Sequence, residues 1–78
     1  MAKPLVSLRF KKVEEVNHLL LNIQSKALPV SWFITSSEGS VILSGHSSLT
    51  NDLINIDSLE SGHYYLRAAG EKLHFEIY

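Results

Sequence analysis

Ile54-Asn55-Ile56-Asp57-Ser58-Leu59-Glu60-Ser61-Gly62-His63-Tyr64-Tyr65-Leu66-Arg67-Ala68 is the stretch on which the fold turns. It holds two apolar alternations separated by a compact polar link. Ile54 and Ile56 share one face of a short strand. Tyr64, Leu66 and Ala68 share one face of a longer strand, with His63, Tyr65 and Arg67 on the other. Successive side chains of a strand point to opposite sides, so this period-two pattern specifies two half-buried strands. The link resembles a tyrosine corner, in which a Tyr hydroxyl bonds back to nearby backbone and fixes a crossing between two sheets. Tyr64 would make that bond, Leu59 would plug the end of the core, and Gly62 would permit the tight backbone path. These three residues are assigned as a structural corner, a folding device rather than an active site.

The same alternation extends in both directions. Leu5–Phe10 places Val6, Leu8 and Phe10 on one face, and residues 11–15 read as a connection. Val16–Gln24 places Leu19, Leu21 and Ile23 on one side, with His18, Leu20 and Asn22 opposite. After a turn at Ser25–Pro29, Val30, Trp32 and Ile34 alternate against Ser31, Phe33 and Thr35. Ser36–Ser40 reads as a hairpin loop in which Gly39 supplies a positive φ, and Val41–Gly45 is the returning strand. His46–Asp52 is a longer polar connection, and Leu53–Asp57 the short strand that enters the stretch above. Beyond Ala68, a turn at Ala69-Gly70-Glu71 leads to Leu73, Phe75 and Ile77 alternating with Lys72, His74 and Glu76. One segment has a helical alternative: Val13, Val16 and Leu20 within 13–21 fall at helical spacing. Alternation through Asn22, Ile23 and Gln24, and the lack of a clear cap, favour the strand. About seven short strands with frequent turns predict an all-β fold, an antiparallel two-sheet sandwich or a small barrel.

Size and composition bound the rest. Seventy-eight residues suffice for one domain, taken as 1–78, and are too few for two. Hydrophobic residues make up 45% and charged residues 19%, a balance of folded rather than disordered chains. Seven basic and eight acidic residues leave a net charge of -1, and the densest basic cluster, Arg9, Lys11 and Lys12, is followed at once by Glu14 and Glu15. That argues against a nucleic-acid partner. The chain has no cysteine, which removes disulfides, thiolate metal sites and cysteine nucleophiles together. No apolar run is long enough to span a membrane as a helix. Met1-Ala2-Lys3-Pro4 lacks the apolar run of a secretory signal. The expected location is therefore inside the cell if the chain is whole, and exported or at the cell surface if it is a piece of a longer protein.

No catalytic or ligand-binding constellation stands out in the sequence. Of four histidines, His18, His46, His63 and His74, none forms a tight ligand pair at zinc spacing. His74 and Glu76 share a strand face and could chelate, but read more simply as solvated residues of the last strand. Ser36-Ser37-Glu38-Gly39-Ser40 is not a G-x-S-x-G elbow. The carboxylates fall in turns or on outward positions. The expectation is a non-enzymatic domain without cofactor or metal. Trp32, Tyr64 and Phe75 fall on the inward register and belong to the core. Phe33, Tyr65 and Tyr78, with Leu20, fall outward; they are the candidate partner surface, since clustered exposed apolar groups mark interaction sites.

From Leu19 onward the chain resembles the C-terminal sorting domain of the type IX secretion system in Bacteroidetes. The likeness rests on Leu21-Asn22-Ile23, on the hairpin from Val30 to Ile42, on Glu71–Ile77 at the last strand and above all on Ile54–Ala68, with its L-x-x-G-x-Y element. The family usually opens on a Tyr-Pro-Asn-Pro-like segment and ends on a Lys-rich strand. Here Ala2-Lys3-Pro4-Leu5-Val6 and Glu76-Ile77-Tyr78 stand in those places. The resemblance implies an immunoglobulin-like sandwich of seven strands. It also implies recognition by the secretion machinery through an exposed strand edge or outer face, with the last hairpin, His63–Tyr78, as the contact. The alternatives are a stand-alone domain that self-associates as a homodimer, and a carbohydrate-binding sandwich using Phe33, Tyr65 or Trp32.

Overall fold

The alternating segments become seven strands in a computed structural model that describes residues 4–78. Met1, Ala2 and Lys3, on which the reading of the N-terminus rests, lie outside the described residues. The strands are β1 (Val6–Val13), β2 (Val16–Ile23), β3 (Val30–Ser36), β4 (Val41–Ser47), β5 (Asn51–Asn55), β6 (Gly62–Ala68) and β7 (Glu71–Ile77), with one 3-10 turn at Ser25–Ala27. They form two antiparallel sheets, β1-β2-β5 and β4-β3-β6-β7. The arrangement is an immunoglobulin-like sandwich in which β4 pairs with β3 rather than with β5.

Each sheet turns its apolar parity inward. Leu19, Leu21 and Ile23 of β2 are buried, as are Val30, Trp32 and Ile34 of β3, Ile54 of β5 and Ile56 just beyond it. Tyr64, Leu66 and Ala68 of β6 and Phe75 of β7 complete the core. Residues 16–23 are strand throughout, which removes the helical alternative. The reason is parity: only an extended chain sends Leu19, Leu21 and Ile23 to one side, and that side is the core. Phe10 is 54% exposed although its register is inward, because it stands at an open end of the sandwich, edge-on to Phe75 at 6.3 Å.

Three connections are shorter than in the sequence reading, one of them the last turn, which is Ala69-Gly70 because Glu71 already belongs to β7. The expected 11–15 connection shrinks to Glu14-Glu15, so β1 runs on to Val13. Both turn residues have positive φ, 50° and 67°, as a type I′ hairpin requires. Glutamate is poorly suited to that conformation, which costs about 1–2 kcal/mol per residue. The turn forms because the flanking ladder, Val6–Val13 against Val16–Ile23, carries buried apolar groups that outweigh the cost. The expected 46–52 connection is also shorter. β4 continues to Ser47 and β5 begins at Asn51. The buried Ser47 hydroxyl donates to the Asp52 carboxylate and so ties the crossover from one sheet to the other.

Trp32 packs across the ladder on Gly45, its register partner. A Cβ at Gly45 would stand 2.7 Å from the indole ring, closer than any real contact. The indole Nε1 is buried without a hydrogen-bond partner among the described residues. An unmet donor costs about 1–3 kcal/mol. Burying an indole of ~200 Å² returns about 4–6 kcal/mol, so the ring stays inside.

Two substitutions check this account by thermal unfolding. Gly45→Ala forces the indole off its seat and lowers stability by about 1–3 kcal/mol. The single tryptophan reports the displacement as a change in fluorescence of the folded state. Glu14→Asn combined with Glu15→Gly relieves the β1–β2 turn and raises stability by about 1 kcal/mol, or ~4–8 °C in Tm for a domain of this size.

Candidate recognition face

β6 leaves the link Ser58–Ser61 and enters the four-stranded sheet between β3 and β7. Tyr64 lies on its inner side, and its hydroxyl donates to the Glu60 carbonyl at 2.6 Å. Leu59 packs against the core from the link, and its N–H donates to the Ile56 carbonyl at 3.0 Å. Gly62 has φ +149°, a backbone conformation that L side chains rarely adopt. The three corner residues therefore lie on one short path between the sheets.

With Tyr64 inward, the neighbours His63, Tyr65 and Arg67 face outward. Register then assembles the solvent face of the four-stranded sheet. Ser44, Phe33, Arg67 and Lys72 form one row across β4, β3, β6 and β7. Thr35, Tyr65 and His74 form the next, and His63 pairs with Glu76 beyond it. The side chains touch in sequence along the last hairpin. Lys72 Nζ lies 4.3 Å from the Tyr65 ring centroid. The Tyr65 and His74 rings are tilted at 5.4 Å, and the His74 and His63 rings meet edge to edge, with centroids 5.2 Å apart and an interplanar angle of 20°. His63 Nδ1 and His74 Nε2 are 3.0 Å apart, and His63 Nε2 lies 3.7 Å from Glu76 Oε2.

Arg67 and Lys72 are directly opposed like charges, an unfavourable pair of about 0.2–1 kcal/mol. The cation–π contact of Lys72 on Tyr65 is of the same size, about 0.5–1 kcal/mol, and offsets it. Neither cation makes an ion pair among the described residues. Between them and Phe33 opens a depression of about 380 Å³, lined also by Ser31, Gly70 and Glu71.

The four residues of the candidate partner surface do not adjoin. Phe33, 44% exposed, and Tyr65 share the face just described. Leu20 lies on the opposite side of the molecule, in the outer row Arg9–Leu20–Leu53 of the three-stranded sheet. Tyr78 is 95% exposed past the end of β7, beside a groove of about 300 Å³ that includes Phe10, Ile56, Leu59 and Ile77. Parity alone could not separate them, because it says which residues face out and not from which sheet. Sequence reasoning passed over Arg67, Lys72 and His63 as members of the Phe33–Tyr65 face. Among the described residues, no three His, Asp or Glu side chains stand close enough to enclose a metal ion. Among the described residues, no helix is long and apolar enough to cross a membrane. The chain matches no protein-family model, no curated protein and no solved structure in the comparisons made with each.

The corner is checked by Tyr64→Phe. This substitution keeps the ring stacked on Phe75 at 5.5 Å and removes only the hydroxyl. Denaturant unfolding should show a loss of about 0.5–2 kcal/mol with an unchanged m-value. A loss below ~0.3 kcal/mol would mean that the bond contributes nothing to the crossing.

Proposed function

We propose that this chain is a non-enzymatic recognition domain of the sorting type, read by the type IX secretion machinery through the outer face of its last hairpin. One observation carries the reading. Phe33, Tyr65, Arg67 and Lys72 converge on one solvent face, where Phe33 and two cations without ion-pair partners among the described residues border a shallow depression and Tyr65 lies against Lys72 beside it. Aromatic and Arg side chains are the groups that most often anchor protein interfaces. β7 is an edge of its sheet, so a partner strand can add to it by backbone hydrogen bonding beside that face. The resemblance over Ile54–Ala68 supplies the identity of the partner, and under this reading the protein is exported or held at the cell surface.

A second reading, self-association inside the cell, draws on a different place. The edge strand β4 exposes Val41 and Ile42, and the edge strand β5 of the other sheet exposes Leu53. Light scattering on the purified protein at micromolar concentration separates the two: a stable dimer favours the second reading, a monomer the first.

The first reading is tested by fusing a reporter ahead of the domain in a bacterium with a working type IX system. Export of the fusion is expected. Removing residues 71–78 should abolish it, and Tyr65→Ser with Arg67→Glu should reduce it by about tenfold or more, as for interface anchors. The paired substitution is needed because removing β7 also strips the core of Phe75. Undiminished export of the folded double variant, or no export of the parent fusion, rejects the proposal.

A further inference from the structure

The last hairpin carries a second arrangement whose chemistry differs from that of a docking face. His63 and His74 come from adjacent strands and sit diagonally on the outer side, their rings nearly coplanar and edge to edge with Nδ1 and Nε2 3.0 Å apart. Two nitrogens bound to one divalent ion at about 2.0–2.1 Å stand about 2.9–3.4 Å apart for right-angled to tetrahedral geometry. The observed separation falls inside that range, and turning the two rings so that their lone pairs converge to one side of the N–N line would seat an ion. The second ring nitrogen of His63, Nε2, faces the Glu76 carboxylate at 3.7 Å. Histidines that bind metals commonly donate their remaining N–H to a carboxylate, which fixes the tautomer and raises ligand basicity. At 3.7 Å the two are not hydrogen-bonded, but a small side-chain shift lets Glu76 accept that N–H, and a proton held at Nε2 leaves the Nδ1 lone pair aimed at His74.

We propose that His63 Nδ1 and His74 Nε2 form a two-imidazole chelate for a borderline divalent cation (Cu²⁺, Ni²⁺ or Zn²⁺), with Glu76 as the positioning residue for His63. Imidazole nitrogen suits these three ions and discriminates against Mg²⁺ and Ca²⁺, which take oxygen ligands. The metal-free pair is joined by an N–H···N hydrogen bond from one ring to the other. Binding replaces that bond: the proton on the shared side moves, by way of solvent, to the outer nitrogen of its own ring, so each ring stays neutral, and both inner lone pairs turn to the ion. The site lies on the surface, so its remaining coordination positions are open to water or to a donor from another molecule. A bound ion would clamp β6 to β7 next to Tyr65 and add positive charge to the face that already holds Arg67 and Lys72.

The test is calorimetric titration of the untagged protein with CuCl₂, NiCl₂, ZnCl₂ and MgCl₂ in turn, with ¹⁵N-detected histidine spectra alongside. Saturable one-to-one binding is expected for at least one of the first three salts and none for MgCl₂, weakening as the buffer is acidified. His63→Gln and His74→Gln should each weaken it by about tenfold or more. His18→Gln and His46→Gln should leave it unchanged. Glu76→Gln should weaken it by about tenfold and shift the His63 tautomer signals of the metal-free protein away from Nε2–H. Each of these side chains is partly or fully solvent-exposed, and the far-UV spectrum confirms that each variant is folded. Absence of saturable binding below ~1 mM overturns the chelate, as does equal binding by the His63 and His74 variants. An unchanged Glu76 variant overturns its positioning role.

Discussion

The bond from the Tyr64 hydroxyl to the Glu60 carbonyl marks where the chain stops crossing between sheets and β6 begins. β6 pairs with strands on both sides, so its start position and parity propagate across the four-stranded sheet. The bond itself is worth only about 1 kcal/mol. Its leverage comes from what depends on it. A slip of one residue would turn Arg67 inward and Leu66 outward and reverse every other position of the strand. Burying an unpaired guanidinium while exposing a leucine costs many times the energy of the bond. Side-chain pattern therefore holds the parity, and the corner decides at which residue it starts.

The same parity explains why the two outer faces are so different. On the inner side the sandwich takes nearly every large aliphatic residue of β2, β3 and β6, and the one buried side-chain donor without a partner among the described residues is the Trp32 indole. On the outer side, the alternate residues of β6 and β7 are His63, Tyr65, Arg67, Lys72, His74 and Glu76, which the ladder sets side by side. The three-stranded sheet turns out a milder mixture, Arg9, Leu20 and Leu53 in one row and Asn22 bonded to Asn51 in another. Chemistry has accumulated at the C-terminal hairpin because the core uses only half of each strand there.

Much of the fold was legible because apolar alternation is a direct record of burial. Leu19, Leu21, Ile23, Trp32, Ile34, Tyr64, Leu66 and Phe75 are all core residues, as their register indicated. Turn chemistry was less legible. Glu14-Glu15 carries none of the Asn-Gly character of a type I′ turn, so β1 was read as ending at Phe10 when it continues to Val13. Polar residues such as His46, Ser47 and Asn51 hid the end of β4 and the start of β5, because edge strands need fewer apolar groups. Which strands share a sheet is a long-range fact, and local alternation does not encode it. That is why Leu20 and Phe33 were grouped although they face opposite ways.

The histidine pair was within reach of a stricter use of the same pattern. Inward residues are even-numbered on β6, Tyr64, Leu66 and Ala68, and odd-numbered on β7, Leu73, Phe75 and Ile77. Inward groups face one another across an antiparallel ladder, so the hairpin loop must contain an even number of residues. A three-residue turn at Ala69-Gly70-Glu71 breaks that condition, because it would set inward Tyr64 opposite outward Glu76. The shortest loop that satisfies it is Ala69-Gly70, which is the turn observed, with positive φ at both residues. That loop places His63 across from Glu76 and Tyr65 across from His74, and hence His63 and His74 on one diagonal. The two imidazoles stand eleven positions apart in the sequence, yet the parity of the core on either side of the turn suffices to bring them together.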